Sequence, residues 1–247
     1  MTPDQLVNLF LETAAAVESA LRPLVGADRR GGTDRPGQYA IDLVADAAAL
    51  AVLGRAPVAV LSEESGWGGR PGAPLTVVLD PIDGSTNAAR GIPYWATSLC
   101  AIDGDGPVAA LVINQATGAA TTAVRGLGAA RDGEPVAPAK TERVADALVA
   151  LTGQPAVWLP WRQFRSFGSI ALTLCDLAAG AVDGVVDGGS HHAPWDYLGG
   201  LLVCTEAGAV VVDAGGRPLV TVDPDARRQL VGAATPALLD ELRRAAA

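Results

Sequence analysis

The stretch Leu79-Asp80-Pro81-Ile82-Asp83-Gly84-Ser85-Thr86-Asn87 sets two aspartates three residues apart, directly after an apolar run. Pro81 fixes one backbone angle between them, and Gly84 permits a sharp turn. Such a turn can aim both carboxylates and the Ile82 carbonyl at one point. That is an all-oxygen donor set suited to Mg²⁺, which takes few protein ligands and keeps waters and substrate phosphate. Gly84-Ser85-Thr86-Asn87 then reads as a helix start whose free N–H groups could cradle a phosphate. The same residues also fit a plainer role, in which Asp80 and Asp83 cap that helix.

Two further acidic segments could share the site. Ser62-Glu63-Glu64-Ser65-Gly66 ends another apolar run. Neighbouring side chains in extended chain point opposite ways, so one glutamate can face a site while the other supports it. Both can also be solvated surface. In Trp195-Asp196-Tyr197-Leu198-Gly199-Gly200, Asp196 is either a third carboxylate from a distant segment or the N-cap of its own helix. Two glycines inside a helix cost about 1 kcal/mol each relative to alanine, so Gly199 and Gly200 predict close packing against another backbone. Glu206 and Gly208 read as helix-end structure. His191 and His192 lie in the loop before Trp195. They read either as exposed loop residues or as a proton donor facing a substrate.

Hydrophobic spacing supplies the elements that must carry these residues. Residues 2–25 read as an amphipathic helix opened by a capping box, Thr2-Pro3-Asp4-Gln5, with Leu6, Phe10, Val17, Leu21 and Leu24 on one face. Residues 26–37 are polar and glycine-rich and predict an exposed, mobile loop. A helix is expected from about 38 to 53. Strands are expected at 57–61, 75–79 and near 97–102, 107–113 and 119–124. Residues 126–138 are punctuated by glycine and proline and read as a seam between two lobes, about 1–135 and 136–247, of one domain. The second lobe alternates: a strand near 147–151, a helix over 169–179, a strand at 185–186, a helix over 196–207, a strand at 210–212 and a closing helix at 235–246.

A chain of 247 residues with 49% apolar and 18% charged residues is long enough for a sizeable core and is neither disordered nor fibrous. Aromatic residues make up only 4%, so alanine, valine and leucine must build that core. A net charge of −9 disfavours binding to nucleic acid or an anionic membrane, which call for a basic face. A phosphate site on such a chain requires local positive charge, and bound cations can supply it. Cys100, Cys175 and Cys204 fit neither a zinc motif nor a disulfide framework and read as buried thiols of a reducing compartment. No signal segment or membrane-spanning run is visible, so a cytoplasmic protein is expected.

Taken together, these segments resemble the inositol monophosphatase superfamily of Mg²⁺-dependent, lithium-sensitive phosphatases, over nearly the whole chain. The family's double glutamate corresponds to Glu63-Glu64. Its DPIDGTTN signature corresponds to Asp80–Asn87, with Ser85 in place of the first threonine. Its WD…EAG motif corresponds to Trp195-Asp196 and Glu206-Ala207-Gly208, and its substrate turn to Gly168-Ser169. The resemblance implies an α/β fold, a layered αβαβα sandwich, with the site between two lobes.

The resemblance also implies roles. One Mg²⁺ would sit on Glu63, Asp80 and the Ile82 carbonyl; a second would sit on Asp80, Asp83 and Asp196; a third, weaker site belongs to the family set. Phosphate would rest on the metals and on Gly84, Ser85 and Thr86. Asp42 and Ser85, with Glu63, would activate the attacking water. Gly168, Ser169 and Asp187 would contact the rest of the substrate. The sequence departs from the family pattern before Asp42, where Gln38-Tyr39-Ala40-Ile41 lacks the usual threonine and Arg35 stands in for a lysine. The loop from Asp187 to Trp195 is also longer than usual. The expected substrate is a small phosphate monoester: inositol 1-phosphate, histidinol phosphate, fructose bisphosphate or a 3′-phosphoadenosine nucleotide. Arg162 and Arg165, just before Gly168, could meet a second anionic group or be ordinary surface arginines. The expected assembly is a homodimer. The competing readings are a non-catalytic metal- or phosphate-binding member of the fold and a purely structural domain.

Overall fold

The computed structural model describes residues 1–35 and 37–246; Pro36, within the predicted 26–37 loop, and Ala247 lie outside the described residues. Two mixed sheets and their helices stack in layers. The first sheet is built from β1 (Ala59–Ser62), β2 (Gly66–Gly69), β3 (Thr76–Asp83), β4 (Ala96–Asp103), β5 (Gly106–Asn114), β6 (Ala120–Val124), β7 (Gly128–Arg131) and β8 (Glu134–Pro135). Its eight strands run in the order β2-β1-β3-β4-β5-β6-β7-β8. The second has five strands: β9 (Leu148–Thr152), β10 (Gln163–Arg165), β11 (Gly184–Asp187), β12 (Val210–Asp213) and β13 (Leu230–Ala233), in the order β10-β9-β11-β13-β12.

Strand alternation assigns the layers. In β3, Val77 and Leu79 pack with α1 (Pro3–Leu21) and α3 (Ala40–Leu53), whereas Val78 faces the opposite side, toward α5 (Ile170–Ala178) and α6 (Pro194–Ala207). In β11, Val185 joins that same middle layer and Val186 packs against α7 (Pro236–Ala246). The order is therefore helices, sheet, helices, sheet, helix, which is the expected αβαβα sandwich. A strand buried on both faces reads as a continuous apolar run, as LTVVL does.

The first helix opens as its sequence dictates. The Thr2 hydroxyl accepts from Gln5 N at 3.3 Å, and Thr2 N donates to the Gln5 side chain at 2.8 Å. It stops at Leu21 rather than 25, because Pro23 has no N–H to continue it. The predicted 26–37 loop contains a short helix, α2 (Ala27–Arg30), and a bridge between Gly32 and Tyr39. The 126–138 segment carries the β7–β8 hairpin of the first sheet before the chain crosses to the second. All three cysteines are buried and free. Among the described residues no helix is long and apolar enough to cross a membrane.

Gly199 and Gly200 pack as closely as their cost predicts. A Cβ on Gly199 would lie 2.7 Å from Ser98 Oγ, and one on Gly200 would lie 2.6 Å from Leu174 Cβ. They let α6 settle on β4 and α5 at once. Gly199→Val should force these layers apart and cost about 1–3 kcal/mol, the usual scale of overpacking. Thermal unfolding should show a loss of several degrees; an unchanged midpoint would mean the contact is not tight.

Candidate metal centre

Strand pairing brings the acids together. β1 and β3 are parallel, with Ser62 opposite Leu79, and Glu63 N donates to Leu79 O at 3.1 Å. Glu63 thereby emerges beside Asp80. Asp80 stands opposite Ser98 on β4, and the register shifts between Asp80 and Asp83, so the strand bends as it carries Pro81 and Ile82. Ser98 is also where Gly199 of α6 docks, and Asp196 lies one helical turn before Gly199. Single oxygens of Glu63, Asp80 and Asp196 thus all fall within 4.8 Å of one another.

The aspartates share one arrangement: protein donors hold one oxygen of each. Asp80 Oδ1 accepts from Ile82 N at 2.9 Å. Asp83 Oδ2 accepts from Ser169 Oγ at 2.6 Å and Ala171 N at 2.7 Å. Asp196 Oδ2 accepts from Ala193 N at 2.7 Å, and Asp42 Oδ2 from Tyr39 N at 2.7 Å. Each tether fixes a rotamer and leaves the second oxygen for a cation or water. Asp42 Oδ1 is buried and has no protein partner among the described residues. Orphaned buried oxygens of this kind call for a ligand or water.

Electrostatics demand the same. Burial, then the nearby charges of Asp196 and Glu64, push Glu63 up to about 8. Burial also raises Asp83 to about 7, against the hydrogen bond from Ser169. Asp80 is pushed well above the carboxylate range by burial and by Glu63, Asp83 and Asp196. Asp42 rises to about 6 through burial, which the Tyr39 N–H partly offsets. Hard oxygen donors that repel one another in a buried site fit Mg²⁺, whose charge would reverse every one of these shifts.

A cavity of about 160 Å³ is lined by Arg35, Gln38, Asp42, Glu63, Glu64 and Ser85 among others. Ser85 Oγ donates to the Ile82 carbonyl at 2.9 Å. Gly84, at φ +97°, opens the short helix α4 (Ser85–Arg90), and a Cβ there would lie 2.9 Å from Gly168 O, so only glycine fits. Asn87 Nδ2 donates to Tyr94 O and Phe167 O, both at 2.7 Å, which locks the Gly168 turn against Gly84. Thr86 is exposed, its hydroxyl 3.3 Å from Tyr39 OH. The two glutamates divide as expected of adjacent residues: Glu63 joins the cluster, while Glu64 accepts from Gln38 and meets Arg35 at 3.4 Å. A wider cavity of about 690 Å³, beyond the C-terminal half of α6, is mainly apolar and gathers no comparable carboxylate cluster.

The structure places three of the expected residues as follows. Ser169 is 3% exposed, and its hydroxyl lies between Asp83, to which it donates, and Leu172 N. Asp187 is 0% exposed, with its Oδ2 3.3 Å from His192 Nε2. His192 is no exposed loop residue, although His191 is. The His192 side chain is 13% exposed and stands between Asp187 and Asp196, with Nδ1 3.3 Å from Asp196 Oδ2. The spacing of His192 and Asp196, four residues apart at a helix start, was the one sequence signal for this contact. Arg162 and Arg165 are exposed. Glu206 is structural, accepting from Gly126 N and Gly128 N at 2.9 and 3.0 Å.

The raised acids give a pH prediction. Each holds its proton more tightly folded than unfolded. With divalent cations chelated, stability is therefore greatest where these groups are protonated and is lost as pH rises through about 7–8, where Asp83 and Glu63 ionise. Thermal unfolding across pH should show that fall, and Mg²⁺ should restore the midpoint most at the alkaline end. A Mg²⁺ effect that shrinks as pH rises would contradict it.

Comparison with known proteins agrees with this geometry. A profile of the inositol monophosphatase family matches residues 9–247. The fructose-1,6-bisphosphatase/inositol-1-monophosphatase of Thermococcus kodakarensis is 32% identical over 243 residues, covering 95% of this chain and 94% of its own. The protein of the same description from Archaeoglobus fulgidus is 35% identical over 193 residues, covering 76% of this chain and 75% of its own. A solved structure from Pyrococcus horikoshii, described as similar to inositol-1 monophosphatase, superposes with a TM-score of 0.89 at 25% identity and covers 99% of both chains. The chain belongs to the inositol monophosphatase family, as a metal-dependent phosphoric monoester hydrolase.

Proposed function

We propose that this chain hydrolyses a small phosphate monoester, a phosphorylated polyol or sugar first among them, with two or three Mg²⁺ ions. The convergence of Glu63, Asp80 and Asp196 carries the reading. Those three, with Asp83 and the Ile82 carbonyl, would hold the ions. When bound, the ions supply charge neutralisation of the phosphate, activation of water and stabilisation of the leaving oxygen. The residues do the rest. Gly84, Ser85 and Thr86 present backbone N–H groups to the phosphate, and Gly168 closes that side of the turn. Asp42, raised to about 6, suits a proton acceptor near neutral pH, and the Ser85 hydroxyl beside it helps align the attacking water. Glu63 supports both the ions and that water.

Relatives described as fructose-1,6-bisphosphatase/inositol-1-monophosphatase favour inositol 1-phosphate and fructose 1,6-bisphosphate as first substrates to test. Histidinol phosphate and 3′-phosphoadenosine nucleotides are the alternatives. A non-catalytic role is disfavoured because every carboxylate of the set is present. We further propose a cytoplasmic homodimer and a single domain of two lobes, about 1–135 and 136–247. The packing of α5 and α6 between both sheets supports the single domain.

Phosphate release from a panel of these esters during Mg²⁺ titration tests the proposal. Activity should require Mg²⁺, and Asp80→Asn should lower kcat on the order of 10²–10³, the scale of losing one electrostatic stabiliser. Near-normal turnover in that variant would overturn the shared-ligand role of Asp80. Millimolar Li⁺ should inhibit; a Mg²⁺-dependent activity indifferent to Li⁺ would count against the second ion site.

A further inference from the structure

We propose that His192 is a positioning residue for the metal ligand Asp196 and that Asp187 is its anchor, so that Asp187 serves the metal site rather than the substrate. This rests on the metal-site reading above.

The loop that delivers His192 is held at every step. Gly188 N donates to Thr152 O at 2.7 Å and Gly189 N to Asp187 Oδ1 at 3.2 Å. Arg217 donates to Ser190 Oγ at 3.1 Å. His192 and Arg228 exchange backbone hydrogen bonds at 3.2 and 2.8 Å. A Cβ on Gly188 would lie 2.1 Å from Gln154 O, so this path also requires glycine there. The extra loop length therefore has a defined outcome, an imidazole wedged between two carboxylates.

The contacts explain what the wedge does. Asp196 Oδ2 accepts from Ala193 N at 2.7 Å and lies 3.3 Å from His192 Nδ1, which donates to it in the tautomer that carries the proton there. Asp83 is held in the same way, by the Ser169 hydroxyl and the Ala171 amide. Without the imidazole, Asp196 keeps one tether and can turn away from Glu63 and Asp80. On the far side, His192 Nε2 and Asp187 Oδ2 are 3.3 Å apart, and neither has a hydrogen-bonding partner among the described residues. That close contact seats the ring between the two carboxylates and keeps it from rotating. Residues that orient a metal ligand from behind commonly contribute 10–100-fold to metal affinity.

The test is Mg²⁺ binding by isothermal titration calorimetry to metal-stripped wild type, His192→Ala and Asp187→Asn, together with KM for the hydrolysed ester at saturating Mg²⁺. One Mg²⁺ step should weaken about 10–100-fold in His192→Ala and by a smaller factor in Asp187→Asn. KM at saturating Mg²⁺ should stay at the wild-type value in both. Unfolding midpoints measured in chelator should also stay close to wild type, which a merely structural role would not allow. If His192→Ala does not fold, the near-isosteric Asp187→Asn decides the matter alone. Unchanged Mg²⁺ affinity in the variants, or a raised KM with unchanged affinity, would overturn the proposal and return Asp187 to the substrate. Wild type that takes up no Mg²⁺ would remove the metal-site reading, and this proposal with it.

Discussion

Carboxylates forced together inside a protein repel one another and lose hydration, and both effects favour protons or cations over bare charge. The site depends on that constraint. Glu63, Asp80, Asp83 and Asp196 are held in range by backbone, and burial together with their mutual repulsion pushes Glu63, Asp80 and Asp83 above the usual carboxylate range. A divalent cation turns that repulsion into binding. An acidic chain can thus take an acidic substrate, because the positive charge is borrowed rather than encoded.

The scaffold exists to enforce that convergence. Parallel pairing of β1 with β3 sets Glu63 next to Asp80, and a bend in β3 separates Asp80 from Asp83. Gly199 lets α6 touch β4 at Ser98, the residue opposite Asp80, and so brings in Asp196 from more than a hundred residues away. Each aspartate then has one oxygen tied to the protein. The tethers come from the backbone N–H groups of Ile82, Ala171 and Ala193 and from the Ser169 hydroxyl.

Local chemistry was legible in the sequence, and long-range paths were not. The turn Asp80–Asn87, the capping box at Thr2 and the close packing at Gly199 and Gly200 depend on neighbours in sequence, and each follows from residue type. The layer order followed from the resemblance and the alternation of elements. Strands β10 and β13 were not visible: one is a three-residue exposed edge, and the other carries Gly232, whose missing side chain makes room for Leu177. Ser169 and Asp187 were expected at the substrate because motif order places them near it. Only the fold shows that their polar atoms face other side chains. His192 was hidden for the same reason, since only its four-residue spacing from Asp196 sets it apart from the adjacent His191.

The most direct measurement is anomalous scattering from a crystal soaked in Mn²⁺, a Mg²⁺ substitute that can be seen. Peaks should lie within bonding distance of Glu63, Asp80 and Asp196, with the tethered oxygens of Asp80 and Asp196 still on their protein donors. Crystals that take up Mn²⁺ elsewhere, or not at all, with Glu63 and Asp80 sharing a proton in the cluster, would contradict the metal centre.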